Sequence, residues 1–380
     1  MRLVPLLLPL CAQAVDITHP IEFRSSTGGL VANGVPFVIK GAIWHGAEGP
    51  GDTPEGLAGV HAHSISYYME ALSSSGFNAV RIDFNHKAVL DALPVHHFDE
   101  QAESGLLGKK YLQALQVVIR EAGKHGLLVA LACTRLSAHD SPGNGLWHSA
   151  AMPEEAVMRS WTKITNLLCA SPNLFAVDLF DSPHGATWGT GGPNVDWRAA
   201  AERIGNHVLE GCPRLLVMVQ GARAVPWTSS QPAQDLTAGL NFMGVREKPL
   251  RMSHPAKVVY APAIAAPSEH MAPAYSATDF PSNMPLVWGR QFGFVSEVSG
   301  GSALILSRAG GLLDDSLDKS FQDELFRWIG EKKLGFFYDC LNPNPSNGGL
   351  LHKDWSTLRA MKLVLLNGLV GTPVSRCACL

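Results

Sequence analysis

The feature that most narrows the fold is a recurrence of eight short apolar segments. They span residues 36–44, 78–84, 127–135, 174–183, 215–221, 257–264, 292–298 and 334–342. Most are near-continuous apolar runs rather than alternating ones, which suits strands covered on both faces of a parallel sheet. Between many of them lie segments with apolar residues at i, i+3, i+4 spacing: 64–75, 109–125, 153–169, 196–209, 318–332 and 354–366. Ser160, Asp196, Asp318 and Asp354 read as caps or first-turn acids. Eight βα units in succession close most economically into a (β/α)8 TIM barrel, an α/β fold. A doubly wound sheet is the competing architecture, but no Gly-rich dinucleotide loop follows the first strand. Residues 21–35 contain Asn33-Gly34, a hairpin-turn signal, and are expected to form an N-terminal β-hairpin cap on the barrel bottom. Residues 228–255 and 266–289 read as loop-rich. No linker interrupts residues 15–370, which therefore form one domain, followed by a Cys-containing tail at 371–380.

Composition removes several function classes. Charged residues are 17% of the 380 and the net charge is -3, with no Lys/Arg block longer than two, so no nucleic-acid footprint is expected. Hydrophobic residues make up 46%, too many for a disordered chain. Residues 1–14 read as an export signal: Arg2, an apolar stretch from Leu3 to Cys11, then Ala12-Gln13-Ala14. No later apolar run is long enough to span a membrane. A secreted, extracellular protein is the expectation. Cys169 and Cys212 each close a predicted helix just before a strand, so they can pair across adjacent helices. Cys377 and Cys379 have no obvious partner, and Cys377-Ala-Cys-Leu also matches a prenylation box that export would keep from its enzyme.

In such a barrel the chemistry sits where strands end at the C-terminal face. Those ends are Trp44/His45, Arg81/Asp83, Thr134/Arg135, Asp181/Ser182, Gln220, Ala263, Glu297 and Asp339/Cys340. Four stretches near them carry a resemblance: Gly41-Ala-Ile-Trp44; Gly76-Phe-Asn-Ala-Val-Arg-Ile82; Pro183-His-Gly-Ala-Thr-Trp-Gly189 followed by Asp196-Trp197; and Leu341-Asn-Pro-Asn-Pro-Ser-Asn-Gly-Gly349 with Asp354-Trp355. Together and in order they resemble glycoside hydrolase family 5, of the endo-β-1,4-glucanase (cellulase) type.

The resemblance implies a retaining glycosidase with two carboxyl groups about 5–5.5 Å apart, one acid/base and one nucleophile. Carried over by position, the family's acid/base Glu on the fourth strand is Ser182, and the Asn before it is Asp181. The nucleophile Glu on the seventh strand is expected at Glu297, supported by Arg81. The third-strand His is Thr134, the sixth-strand His is Ala263 with Ala265 at the nearby Tyr, and the eighth-strand Trp platform is Asp339. A Ser hydroxyl is too weak an acid to protonate a sugar leaving group, and general acid catalysis contributes about 10²–10⁴-fold. The resemblance thus implies a catalytically impaired pseudo-glycosidase that binds β-glucan or another extracellular partner. The alternative is an active endo-β-glucanase-type enzyme with Glu297 as nucleophile and a relocated acid at Asp181 or Asp339. A third reading is a barrel acting as a matrix-partner surface, favoured by a groove without exposed aromatics.

Further contacts to a sugar are expected from Trp44, His45 and Thr134 and from loop residues Trp147, Trp188, Trp227 and Trp288, whose rings can stack on sugar faces. Trp161, Trp197, Trp328 and Trp355 read as helical core. His61 and His63 are spaced as two metal ligands, but no third has a defined spacing, so neither a metal nor a cofactor is expected. Cys133 and Cys340 are expected to flank the barrel mouth. Oligomeric state is not legible.

Overall fold

The computed structural model describes residues 16–141, 143–222, 239–297, 301–344 and 346–378. The expected export signal, Trp227 and Cys379 lie outside them. Eight parallel strands form a closed barrel: β4 (Lys40–Trp44), β5 (Ala79–Asn85), β6 (Leu128–Arg135), β7 (Leu174–Asp178), β8 (Leu216–Val219), β9 (Val258–Tyr260), β10 (Ala303–Gly310) and β11 (Gly335–Asp339), with β11 pairing back onto β4. Helices α1 (Ile65–Ser74), α3 (Tyr111–Lys124), α4 (Glu154–Leu168), α5 (Trp197–Gly211), α6 (Met284–Gln291) and α7 (Ser316–Lys332) pack outside; α2 (His86–Asp91) and α8 (Ala360–Asn367) complete those named here. The strands are buried on both faces, which is why they read as continuous apolar runs.

The N-terminal segment forms a three-stranded antiparallel sheet, β1 (Phe23–Ser26), β2 (Gly29–Ala32) and β3 (Val35–Phe37). Asn33 and Gly34, both at positive φ (46° and 84°), make its second turn, as the sequence signal requires. Its apolar face plugs the barrel bottom. Phe23 packs on Phe37 and Phe175 at ring separations of 5.3 Å, in one core with Leu128, Leu216, Val259 and Ile305 from the strand starts. Polar ties fix it in place: Ser25 Oγ accepts from Ala303 N (2.7 Å) and Lys257 Nζ donates to Phe23 O (2.7 Å). The Cys169–Cys212 disulfide joins the C-terminal ends of α4 and α5, with Cα atoms 5.7 Å apart.

Three expectations are corrected. The described part of the segment at 292–298, residues 292–297, is not a strand: Gly293–Ser296 form a 3-10 turn after α6, with Phe292 packed on Trp328. The seventh barrel strand is Ala303–Gly310 instead. A short apolar run between glycines fits either conformation, and packing decides. Second, no helix starts at Asp354. Its carboxylate accepts from the backbone N–H groups of Ser356 and Thr357, a local turn that outcompetes helix; the helix begins at Ala360, and Trp355 sits half-buried in the turn. Third, Ser160 is no cap: it lies inside α4 and bonds His86 Nδ1 (2.8 Å). No helix among the described residues is long and apolar enough to cross a membrane.

Two stability predictions follow from this packing. Gly41 of β4 lies under the Phe337 ring, and an added Cβ would sit 2.3 Å from its Cδ1. Gly41→Ala is expected to lower stability by about 1–3 kcal/mol through overpacking, measured by urea unfolding. Removing the disulfide with Cys169→Ala and Cys212→Ala together, a separation of 43 residues, is expected to cost about 2–4 kcal/mol in the same assay.

Candidate active site

Side chains from most of the strand ends meet at the C-terminal mouth, and nearly all are charged. The β10 register slips between Leu306 and Ala309. A bulge of this kind re-aims a side chain, and here it turns Arg308 toward the mouth and leaves Ser307 O accepting from Arg81 Nη1 (2.8 Å). After β7 the chain continues to Asp181 and Ser182. Ser182 lies in the left-handed region at φ 52°, which breaks strand alternation, and its Oγ donates to Asp181 Oδ2 (3.0 Å).

The charges alternate in sign along one line of contacts. Asp181 accepts from Arg81 Nη2 (2.9 Å) and Arg81 Nε lies 3.2 Å from Asp83. Asp83 is 2.7 Å from His45 Nδ1, and His45 Nε2 is 2.9 Å from Asp339. Arg308 follows, 4.0 Å from Asp339 and 3.7 Å from Glu269. Gln220 braces one end: its amide donates to Asp178 (2.8 Å) and Asp181 (2.6 Å), and its oxygen accepts from Ser182 N (2.9 Å).

Burial and pairing set the protonation states. Burial of His45 opposes its charge, but Asp339 and the hydrogen bonds to Asp339 and Asp83 overcome this and raise its pKa well above the ordinary value. Burial likewise opposes ionisation of Asp339 and Asp181. For Asp339 the attraction of His45 outweighs it, and for Asp181 that of Arg81, so both stay below the usual range. For Asp178 and Glu269 burial wins over the nearby Arg81 and Arg308 respectively, and each is pushed up to about 7.

Several expected site residues are placed differently. Glu297 is not at the mouth and does not meet Arg81. It caps the turn after α6, with its side chain 60% exposed, pairs with Lys332 at 2.7 Å, and lines a cavity of about 210 Å³ beside the β1–β2 turn at the barrel bottom. The misread strand caused this misplacement. Among the described residues, the Trp residues expected to face sugar are core: Trp44 donates to Glu55 O and packs on Tyr68, Trp147 donates to Glu154, Trp188 donates to Lys248 O, and Trp288 packs on Trp328. Arg81, Asp83, His45, Asp181, Ser182, Gln220 and Asp339 do come together, and Thr134 lies half-buried on the third strand end. Cys133 and Cys340 are free and buried. His63 stacks on Tyr67 at 4.1 Å. Arg308 and Glu269 were missed. Only the correct register of β10 reveals the first, and the second sits in a segment read as loop. Among the described residues, two groups have donor atoms spaced for one metal ion, His45–Asp339–Cys340 and His45–Glu48–Asp83.

A closed barrel with its polar groups gathered at one mouth defines a (β/α)8 TIM-barrel protein. The family model for cellulase (glycosyl hydrolase family 5) matches residues 36–343, and the chain belongs to that family. It is 30% identical over 351 residues to an endoglucanase of Paenibacillus polymyxa, covering 90% of this chain and 85% of that one. It is 32% identical over 348 residues to the major extracellular endoglucanase of Xanthomonas campestris, covering 88% and 68%. Among solved structures, a cellotetraose complex of the endocellulase from Pyrococcus horikoshii superposes with a TM-score of 0.85 at 28% identity, covering 93% of this chain and 99% of that one.

Glu269 supplies a pH-dependent test. Its carboxyl keeps its proton to about pH 7 when folded but loses it near 4.5 when unfolded. The Glu269 contribution to stability therefore falls as pH rises from 4.5 to 7 and is flat outside that window. Glu269→Gln is expected to remove this contribution while leaving that of Asp178, gaining about 1–3 kcal/mol over the native chain at pH 8 relative to pH 4. Parallel urea curves at the two pH values measure it.

Proposed function

We propose that the chain is an exported family 5 protein that binds β-linked glucan without hydrolysing it. The observation that carries this reading is the seventh barrel strand. Ala303–Gly310 contains no carboxylate and presents the guanidinium of Arg308 at the mouth. A retaining glycosidase needs a carboxylate nucleophile there and a carboxylic acid on the fourth strand. The fourth strand end offers Ser182, bonded to Asp181, and Asp181 is itself held ionised by Arg81. A cation at the nucleophile position also repels the oxocarbenium charge that develops in the transition state.

Glucan as ligand rests on the relatives, which include endoglucanases and an endocellulase seen with cellotetraose. Export rests on the N-terminal pattern and on the extracellular relative. The buried Trp residues favour a second reading, in which the mouth meets a protein partner rather than a stacked sugar chain. An enzymatic reading would have to draw on the carboxyl groups the mouth does hold, Glu269, Asp339 and Asp181.

The test uses a β-cellobioside with an activated aryl leaving group, which departs without acid assistance. No phenol release above the spontaneous rate and no glycosyl adduct in the intact mass are expected, together with saturable cellotetraose binding by calorimetry. Phenol release abolished by Glu269→Gln or Asp339→Asn would establish the enzymatic reading instead. Folded protein that neither binds nor turns over would leave the partner-surface reading.

A further inference from the structure

We propose that His45, Asp339 and Cys340 bind one divalent transition-metal ion of the zinc class at the barrel mouth. The three residues sit at the ends of β4 and β11, two strands paired in register. Their donor atoms, an imidazole nitrogen, a carboxylate oxygen and a thiol sulfur, all lie within 4.8 Å of one another. Zinc bonds of about 2.0–2.3 Å place tetrahedral ligands well inside that separation. A mixed N, O, S set selects a borderline-soft ion over Mg²⁺ or Ca²⁺.

The surroundings match what a metal-binding histidine requires. Asp83 accepts from His45 Nδ1 at 2.7 Å, and the opposite nitrogen, Nε2, faces Asp339 at 2.9 Å. Such a carboxylate behind the imidazole orients the ligand and raises its basicity, and Asp83 is itself held by Arg81 at 3.2 Å. Cys340 forms no disulfide, is fully buried, contacts Asn342 O at 3.5 Å and Asn347 Oδ1 at 3.9 Å, and lies within hydrogen-bonding reach of both His45 and Asp339. Its sulfur is free to turn to an ion. The His45 side chain is 26% exposed, so the cluster is reached from solvent at the barrel mouth.

The competing group on the opposite ring nitrogen, Glu48 and Asp83, lacks a thiol, and Glu48 already accepts from Gly46 N at 2.7 Å.

The test is titration of the chelator-treated full chain with Co²⁺ alone. One equivalent is expected to give a near-ultraviolet thiolate-to-cobalt band with visible bands of a tetrahedral centre, both removed by Zn²⁺. Cys340→Ser is expected to abolish the near-ultraviolet band. Asp83→Asn is expected to keep it while weakening binding about 10–100-fold. X-ray absorption of the Zn²⁺-loaded native chain, which needs no variant to fold, is expected to show one sulfur near 2.3 Å. No thiolate band, a band that persists in Cys340→Ser, visible bands lost only in Glu48→Gln, or a zinc shell of nitrogen and oxygen alone would each overturn the proposal.

Discussion

The mouth of this barrel depends on an alternation of charge. Asp181, Arg81, Asp83, His45, Asp339 and Arg308 follow one another with each neighbour of opposite sign, and Glu269, which keeps its proton to about pH 7, ends the line. They come from the first, second, fourth, seventh and eighth strand ends and the loop after the sixth, so the line stitches most of the circumference together. Arg81 is the centre of it. It is 1% exposed, touches Asp83 and Asp181, and also bonds the backbone of the seventh strand at Ser307. A buried guanidinium of this kind is tolerated only because its partners surround it, and removing one side of such a set leaves an uncompensated charge.

That alternation has a chemical consequence. A glycosidase holds its carboxyl groups apart in protonation, one ready to give a proton and one ready to attack. Here the carboxylates at the fourth and eighth strand ends are spent on cations within the protein, and the seventh strand contributes a cation of its own. The scaffold of the family is intact around this centre: the closed barrel, the hairpin plug at the bottom and the loops with their buried Trp anchors. In such a barrel the strands carry the stability and the strand ends carry the chemistry, so the two can vary separately.

Much of this was legible in the residues. The continuous apolar runs announced buried parallel strands, and seven of the eight expected segments overlap the strands of the barrel. Asn33-Gly34 marked a real turn, and the positions of Cys169 and Cys212 marked a real disulfide. Asp181, Ser182, Arg81, His45 and Asp339 were placed at the mouth because strand ends follow from strand boundaries. The failure came where boundaries were ambiguous. Residues 292–298 and 303–310 are both short and apolar, and choosing the first put Glu297 at the mouth and hid Arg308. The loop tryptophans misled for another reason: an aromatic in a loop reads the same whether its ring faces a ligand or the core.

What the sequence alone determined is the class of fold, its closure by eight units, and the residue types at the strand ends, Ser182 among them, since each rests on local pattern or on residue identity. What only the tertiary structure decided is which charges meet. His45 and Cys340 are separated by most of the chain, as are Arg81 and Ser307, and no spacing rule links them. Barrel closure pairs the last strand with the first and brings those side chains within bonding distance. The burial that follows then sets which of them stay charged.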